Sequence, residues 1–260
     1  MSRAPSSSNL QQRRRAAPPD EAHAAGQCST VLRTIPLCSA LLLAACADLE
    51  DPGDPSMQKI LPLGDSITEG VPFSYRYPLS NALSNDGVRF DFVGSHTLGA
   101  DAYPGGWDMD HEGHSGWMTA SIEAELPQWL PHYEVDIALI HLGTNDAGED
   151  NLEGSTAAMT GIVKQLRAHN PSVAICLAQI LPFGTELDND PEFSGLEAFV
   201  DDWNARLAVL ARDLTTEASP IRLADMHSEF GDAELDDGVH PTEAGAEKMA
   251  TEWLDCISGL

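Results

Sequence analysis

The stretch Ile60-Leu61-Pro62-Leu63-Gly64-Asp65-Ser66-Ile67-Thr68-Glu69-Gly70 decides how this chain folds. Apolar residues run up to Gly64, a glycine turn follows, and Ser66 opens a segment of helical character. This is the pattern of a buried strand that breaks into a turn and feeds a helix. Such a turn lifts a hydroxyl off the end of a sheet and sets it beside the free backbone N–H groups of a helix start. A Gly-Asp-Ser tripeptide alone occurs in many loops. Three later stretches give it meaning: His114-Ser115-Gly116-Trp117, Gly143-Thr144-Asn145-Asp146 and Asp237-Gly238-Val239-His240-Pro241.

Working outward, strand and helix patterns alternate. Residues 58–63 read as the first strand, and 75–84, with Tyr75, Leu79 and Leu83 four apart, as a helix. Residues 88–93 alternate apolar and polar, as a half-buried or edge strand does. The Gly-, Asp- and His-rich run over 94–116 reads as one long loop, a length usually tied to function. A helix is expected over 119–130, with Pro127 opposing its last turn. Residues 135–142 and 173–180 are apolar enough for central strands buried on both faces. Helical spacing marks 155–169 and 196–214, while 183–194 reads as a loop and 221–224 as the fifth strand. Residues 242–257 close the chain as a helix, with Pro241 suited to its first turn. Alternation of this kind predicts a five-stranded parallel sheet with helices on both faces. Each quoted block falls just past a strand end or in a loop that reaches that edge, where ligands bind in open α/β sheets.

Length, charge and cysteine use bound the reading. The 260 residues suit one α/β domain behind an N-terminal segment, and 42% hydrophobic content is enough for a core. Of 14 basic and 41 acidic residues, five and two fall in residues 1–46; the remainder holds nine and 39, a net of −30. A surface of that sign repels nucleic acid and anionic membranes. Residues 1–46 read as an address. An Arg13-Arg14-Arg15 run and Arg33 precede an apolar stretch ending Leu43-Ala44-Ala45-Cys46, too short to span a membrane as a stable helix. That ending resembles a bacterial lipobox, in which Cys46 is lipidated. The expected product is an exported protein, anchored in the cell envelope through Cys46 or else secreted. The signal lies far from Met1, so translation starting further in, for instance at a codon read here as Val31, is expected. Residues 47–57 read as a flexible acidic tether and 58–260 as the catalytic domain. Cys176 and Cys256 are expected as two separate buried thiols, with a disulfide as the alternative in an oxidising compartment. Acidic runs over 146–150 and 186–192 read as solvated faces rather than calcium loops.

Each candidate site residue has a chemical reason. A serine hydroxyl is a weak nucleophile until a base takes its proton, and His240 is the candidate base for Ser66. Asp237, three residues earlier on the same turn, can fix the imidazole tautomer and stabilise the imidazolium; Asp236 is a second carboxylate within reach. A tetrahedral intermediate needs donors aimed at its oxyanion, and the candidates are the N–H groups of Ser66 and Gly116 and the amide of Asn145. Trp107 and Trp117 flank the proposed cleft, as rings for a sugar to stack on or as packed core. Arg76 and His114 are weaker candidates for substrate contact, Arg76 with the alternative of pairing with a carboxylate. Asp65 is expected as a structural hydrogen-bonding partner. His111-Glu112-Gly113-His114 is one residue short of the helical His-Glu-x-x-His spacing, and its glycines oppose a helix, so no metal is expected.

In order, Gly64-Asp65-Ser66, Gly116, Gly143-Thr144-Asn145-Asp146 and Asp237-Gly238-Val239-His240-Pro241 resemble the blocks of the SGNH/GDSL hydrolase superfamily, over residues 58–257. Within it, Phe92-Val93-Gly94-Ser95, His111-Glu112-Gly113-His114-Ser115-Gly116-Trp117 and the Tyr75-Arg76 pair are similar to carbohydrate esterase family three, which includes acetyl xylan esterases. The resemblance implies a flavodoxin-like three-layer α/β/α sandwich, a Ser66–His240–Asp237 triad, an oxyanion hole from Ser66, Gly116 and Asn145, and no cofactor. It implies removal of acetyl groups from a polysaccharide such as xylan. Lysophospholipase, thioesterase and arylesterase activities of the same superfamily are the alternative. The loop before Gly116 holds Gly, Asp, His and Trp instead of the apolar lining of an acyl tunnel, which favours a carbohydrate ester. A non-catalytic carbohydrate-binding lipoprotein is the reading from another class. A monomer is expected.

Overall fold

The computed structural model describes residues 57–148, 151–190 and 195–260, with the backbone only of Asp188. The expected signal, the lipidated Cys46, the Val31 start and the tether up to residue 56 lie outside the described residues. Met57, read as the end of that tether, is already buried.

Among the described residues six strands form one parallel sheet: β1 (Gln58–Gly64), β2 (Phe90–Phe92), β3 (Glu112–Gly113), β4 (Ile137–His141), β5 (Ala174–Ala178) and β6 (Ile221–Ala224). The order is β2-β1-β4-β5-β6, with β3 also paired to β1. Without β3 this is the doubly wound flavodoxin-like order. The helices are α1 (Ser66–Glu69), α2 (Arg76–Asn85), α3 (Thr119–Trp129), α4 (Leu152–His169), α5 (Thr185–Asp188), α6 (Leu196–Leu214) and α7 (Glu243–Ser258). Strand side chains alternate between two cores because successive Cβ atoms point to opposite faces. Leu61, Leu63, Ala138 and Ile140 pack with α3, α4 and α6, while Ile60, Ile137, Leu139 and Cys176 pack with α2 and α7.

Several features depart from the sequence reading. The 94–116 segment is not one irregular loop: His96 bridges His111, and β3 pairs with Leu63 and Gly64. β2 and β3 share one edge of β1, β2 along its first half and β3 at its end. Pro62 sits at the gap between them. Ile60 and Gly64 turn their carbonyls to this edge, accepting from Val93 (2.9 Å) and His114 (3.0 Å), so the N–H that Pro62 lacks would also have faced it.

Pro127 lies inside α3 rather than ending it. Proline removes the bond its N–H would make to the carbonyl of residue 123. Gln165 on α4 replaces that donor, its Nε2 lying 3.0 Å from the Glu123 carbonyl. Pro241, in turn, stands outside α7, whose cap is Thr242 accepting from Gly245 N–H.

Cys176 and Cys256 form a disulfide, correcting the expectation of separate thiols. Cys176 points from β5 toward α7, and Cys256 lies in the last turn of that helix, with Cα atoms 6.0 Å apart, within the span a disulfide bridges. Residues 185–188, read as loop, form the single turn α5. Among the described residues no helix is long and apolar enough to cross a membrane.

Candidate active site

β1 delivers Ser66 to the carboxyl edge of the sheet. Gly64 is required there: a Cβ on it would meet Thr68 Oγ1 at 2.1 Å and the His141 carbonyl oxygen at 2.7 Å. Asp65 then caps α1, its Oδ1 accepting from Ile67 N–H at 3.0 Å. Ser66 is the first residue of the helix, and its Oγ lies 2.9 Å from His240 Nε2.

His240 comes from the loop before α7 and is largely buried. Its Nδ1 lies 3.0 and 2.9 Å from the two oxygens of Asp237, and its backbone N–H donates to the same carboxylate at 2.9 Å. Asp236, the alternative carboxylate, is exposed and instead donates its N–H to the His240 carbonyl. The hydrogen bond from the His240 ring, against the opposing effect of burial, holds the Asp237 carboxyl well below its usual range. An ionised carboxylate only accepts, so Nδ1 carries the proton and donates to Asp237. Nε2 is then the acceptor facing the Ser66 hydroxyl. Ser66, His240 and Asp237 are brought together in one hydrogen-bonded series.

The other candidate donors are tied to this turn. His114 N–H donates to the Gly64 carbonyl, and Trp117 N–H to the His114 carbonyl at 3.1 Å, closing a tight turn. Gly116 occupies its third position at φ 80°, the left-handed conformation a type II turn requires there. Ser115 Oγ donates to Glu69 at the end of α1. Asn145 Nδ2 donates to the Trp117 carbonyl at 3.0 Å and reaches Asp65 Oδ2 at 3.4 Å. Asp146 holds the Asn145 turn in place. It accepts from Thr119 N–H and Oγ1 at the start of α3 and from Ser155 Oγ at the start of α4. Burial pushes the Asp65 carboxyl from 3.8 up to about 7, against the Ile67 bond and the His240 charge.

The residues weighed for substrate contact stand elsewhere. Arg76 is fully buried and donates to the carbonyls of Thr68, Met109, Glu69 and Leu98, pinning the long loop to α1. Its guanidinium also lies 5.4 Å from the Trp107 ring, whose edge contacts Tyr77, so Arg76 and Trp107 anchor this loop. His114 is buried too, its ring stacked on Trp129 (4.3 Å, 9° between planes) and in contact with Trp117 (4.8 Å, 30°), the two indoles themselves touching at 5.9 Å. Both Arg76 and His114 are buried and spend their hydrogen bonds on the protein itself. Trp117 remains partly exposed.

Sequence reasoning passed over Glu112. The sequence offers one signal, a glutamate between histidine and glycine, which reads only as a metal motif and is set aside because its spacing falls one residue short. The structure buries Glu112 completely among hydrogen-bond donors. His111 in the same motif accepts from Gly113 N–H and lies 2.8 Å from the Leu98 carbonyl; burial keeps it neutral, with its basicity lowered to about 3. Elsewhere, Glu197, Asp201 and His227 each place a metal-capable atom within 4.8 Å of the others, and Glu197 accepts from Phe183 N–H. A cavity of about 260 Å³ lies between the starts of α3 and α4, lined by Met118, Asp146, Asn151 and Ser155; it includes none of Ser66, Asp237 and His240.

A doubly wound sheet with a hydroxyl, an imidazole and a carboxylate in series at its carboxyl edge defines the class: a hydrolase-type α/β fold with a serine at its turning point. Residues 63–248 match the model of the GDSL-like lipase/acylhydrolase family, and the chain belongs to that family. It is 30% identical over 223 residues to a multidomain esterase of Ruminococcus flavefaciens, covering 77% of this chain and 28% of that protein. It is 23% identical over 205 residues to an acetylxylan esterase of Xylanibacter ruminicola, covering 72% and 40%. The chain thus spans well under half the length of these curated relatives. Among solved structures, a carbohydrate esterase family 3 protein from Talaromyces cellulolyticus superposes with a TM-score of 0.69 at 30% identity, covering 78% of this chain and all of that one.

Proposed function

We propose that the chain is a serine esterase that removes acetyl groups from a carbohydrate, acetylated xylan being the representative substrate. The observation that carries this reading is the Ser66 Oγ–His240–Asp237 series, with donor and acceptor roles fixed by the ionised Asp237. Ser66 attacks the acetyl carbonyl as His240 Nε2 takes its proton. The oxyanion is received by the N–H groups of Ser66 and Gly116 and by Asn145 Nδ2, whose long contact to Asp65 is the one it can exchange. His240 passes the proton to the departing sugar hydroxyl, and water then attacks the acetyl-enzyme to free acetate. The names of the similar proteins, an acetylxylan esterase and a carbohydrate esterase among them, support the acetyl and carbohydrate parts of this reading. Export with lipidation at Cys46 is part of the same proposal, and the Cys176–Cys256 disulfide supports an oxidising compartment.

The test is acetate release from acetylated xylan, beside hydrolysis of p-nitrophenyl esters of acetyl and octanoyl length. Rapid acetate release with little octanoyl hydrolysis is expected. A preference for octanoyl would move the enzyme to the lipid or thioester branch of its family.

A further inference from the structure

Glu112 is the one fully buried carboxylate of the long loop, and its two oxygens gather four donors. Oε1 accepts from Ser95 N–H at 2.6 Å and from Tyr133 Oη at 2.9 Å. Oε2 accepts from Ser95 Oγ at 3.0 Å and from His114 Nε2 at 2.8 Å. These donors come from three places in the chain: the start of the loop, its end, and the segment after α3. Burial alone would raise this carboxyl, yet the four bonds outweigh it and hold Glu112 below its usual range. A buried carboxylate with this many donors fixes the geometry of everything bonded to it.

The elements it fixes lead to the oxyanion donors. Glu112 itself pairs with Leu63 in β3, beside the Gly64 turn. Its partner His114 opens the turn that presents Gly116, and that turn is fastened to the Gly64 carbonyl. The His114 ring stacks on Trp129 and packs against Trp117 in one three-ring cluster, and the Trp117 carbonyl receives the Asn145 amide. One continuous chain therefore runs from Glu112 through His114 and Trp117 to Gly116 on one side and Asn145 on the other. None of these contacts touches Ser66, His240 or Asp237.

We infer that Glu112 is a positioning residue for the oxyanion hole: acting through His114, it sets where the Gly116 N–H and the Asn145 amide point. This rests on the esterase reading above. Displaced donors weaken binding of the tetrahedral state while leaving ground-state binding alone, so the defect lies in kcat and not in KM.

The experiment compares wild type, Glu112→Gln, His114→Phe, the double variant and Tyr133→Phe in p-nitrophenyl acetate hydrolysis. Each is also measured for inhibition by a small boronic acid, which mimics the charged tetrahedral adduct, and by acetate. Glutamine keeps the shape but turns an amide toward two donors; phenylalanine keeps the ring packing against Trp129 and Trp117 but cannot donate to Glu112. The expected result is a fall in kcat of about tenfold or more in Glu112→Gln and His114→Phe with KM within about twofold. Boronate affinity falls by a similar factor, acetate inhibition is unchanged, and the double variant is no worse than either single one. Tyr133→Phe, which removes one donor and leaves the packing, shows a smaller fall in the same direction and keeps the test open if Glu112→Gln does not fold. Wild-type kcat in folded Glu112→Gln, or a loss seen in KM with boronate affinity intact, overturns the inference. Absence of Ser66-dependent hydrolysis in the wild type would instead overturn the esterase reading.

Discussion

Replacing Asp65 with asparagine should make the protein more stable in alkaline than in acidic solution, relative to wild type. Asp65 is fully buried, and burial pushes its carboxyl from 3.8 to about 7. Between the unfolded value near 3.9 and about 7, the folded chain holds a proton that the unfolded chain has lost. Wild-type stability therefore falls as pH rises through that window and levels off above it. From about pH 5 to about pH 8 the change amounts to roughly 2–3 kcal/mol. Asparagine still accepts from the Ile67 N–H but carries no charge, so the variant lacks this slope. It also turns an amide toward Asn145, a pH-independent penalty of about 1 kcal/mol. The signature is thus the change in the difference and not its value at one pH. Urea unfolding of both proteins at about pH 5 and about pH 8, with unchanged m-values, measures it. A variant-minus-wild-type difference that is flat across this range would refute the argument that burial of Asp65 controls its charge.

Other perturbations give separate outcomes. The Cys176–Cys256 bond closes a loop of 80 residues, so Cys176→Ser with Cys256→Ser should cost about 4 kcal/mol, lowering Tm by roughly 8–16 °C in calorimetry while hydrolysis at room temperature persists. Gly116→Ala meets open space but must adopt φ 80°, so urea unfolding should show a loss of about 1–2 kcal/mol, and kcat should fall as the turn shifts to relieve the strain. Asp237 is held below its usual range by His240, so its contribution to stability is present above about 3.9 and is lost only as pH falls further. Because it stays ionised at neutral and alkaline pH, Asp237→Asn should lower kcat by about 10³–10⁴-fold there with no recovery at high pH, as a pH–rate profile would record.

The fold was legible where residue pattern and backbone demand coincide. The apolar runs of β1, β4 and β5 and the helical stripes of α4 and α6 announce themselves, and the strand-to-helix turn at Gly64 follows from its glycine. The blocks carrying Ser66, Gly116, Asn145, Asp237 and His240 stood out as candidates, since each lies past a strand end or in a loop that reaches that edge. Pairings that side chains do not encode were hidden. β3 is two residues long and exists because β2 stops at Phe92 and frees an edge of β1. Pro127 opposed its helix in the sequence, and only the approach of Gln165 from α4 shows how it is accommodated. The disulfide depends on which face of β5 meets the end of α7, a distance no spacing of 80 residues expresses. Glu112 was hardest to read, because a charged residue beside glycine suggests an exposed loop, and three of its four donors come from Ser95 and Tyr133, 17 and 21 residues away.

The central claim is that Ser66 is the nucleophile of ester hydrolysis. Acetate release from an acetylated xylo-oligosaccharide by the wild type and by folded Ser66→Ala tests it most directly. The account predicts a fall in kcat of about 10³-fold or more in the variant, with its Tm close to wild type. Wild-type rates of acetate release from Ser66→Ala would contradict it.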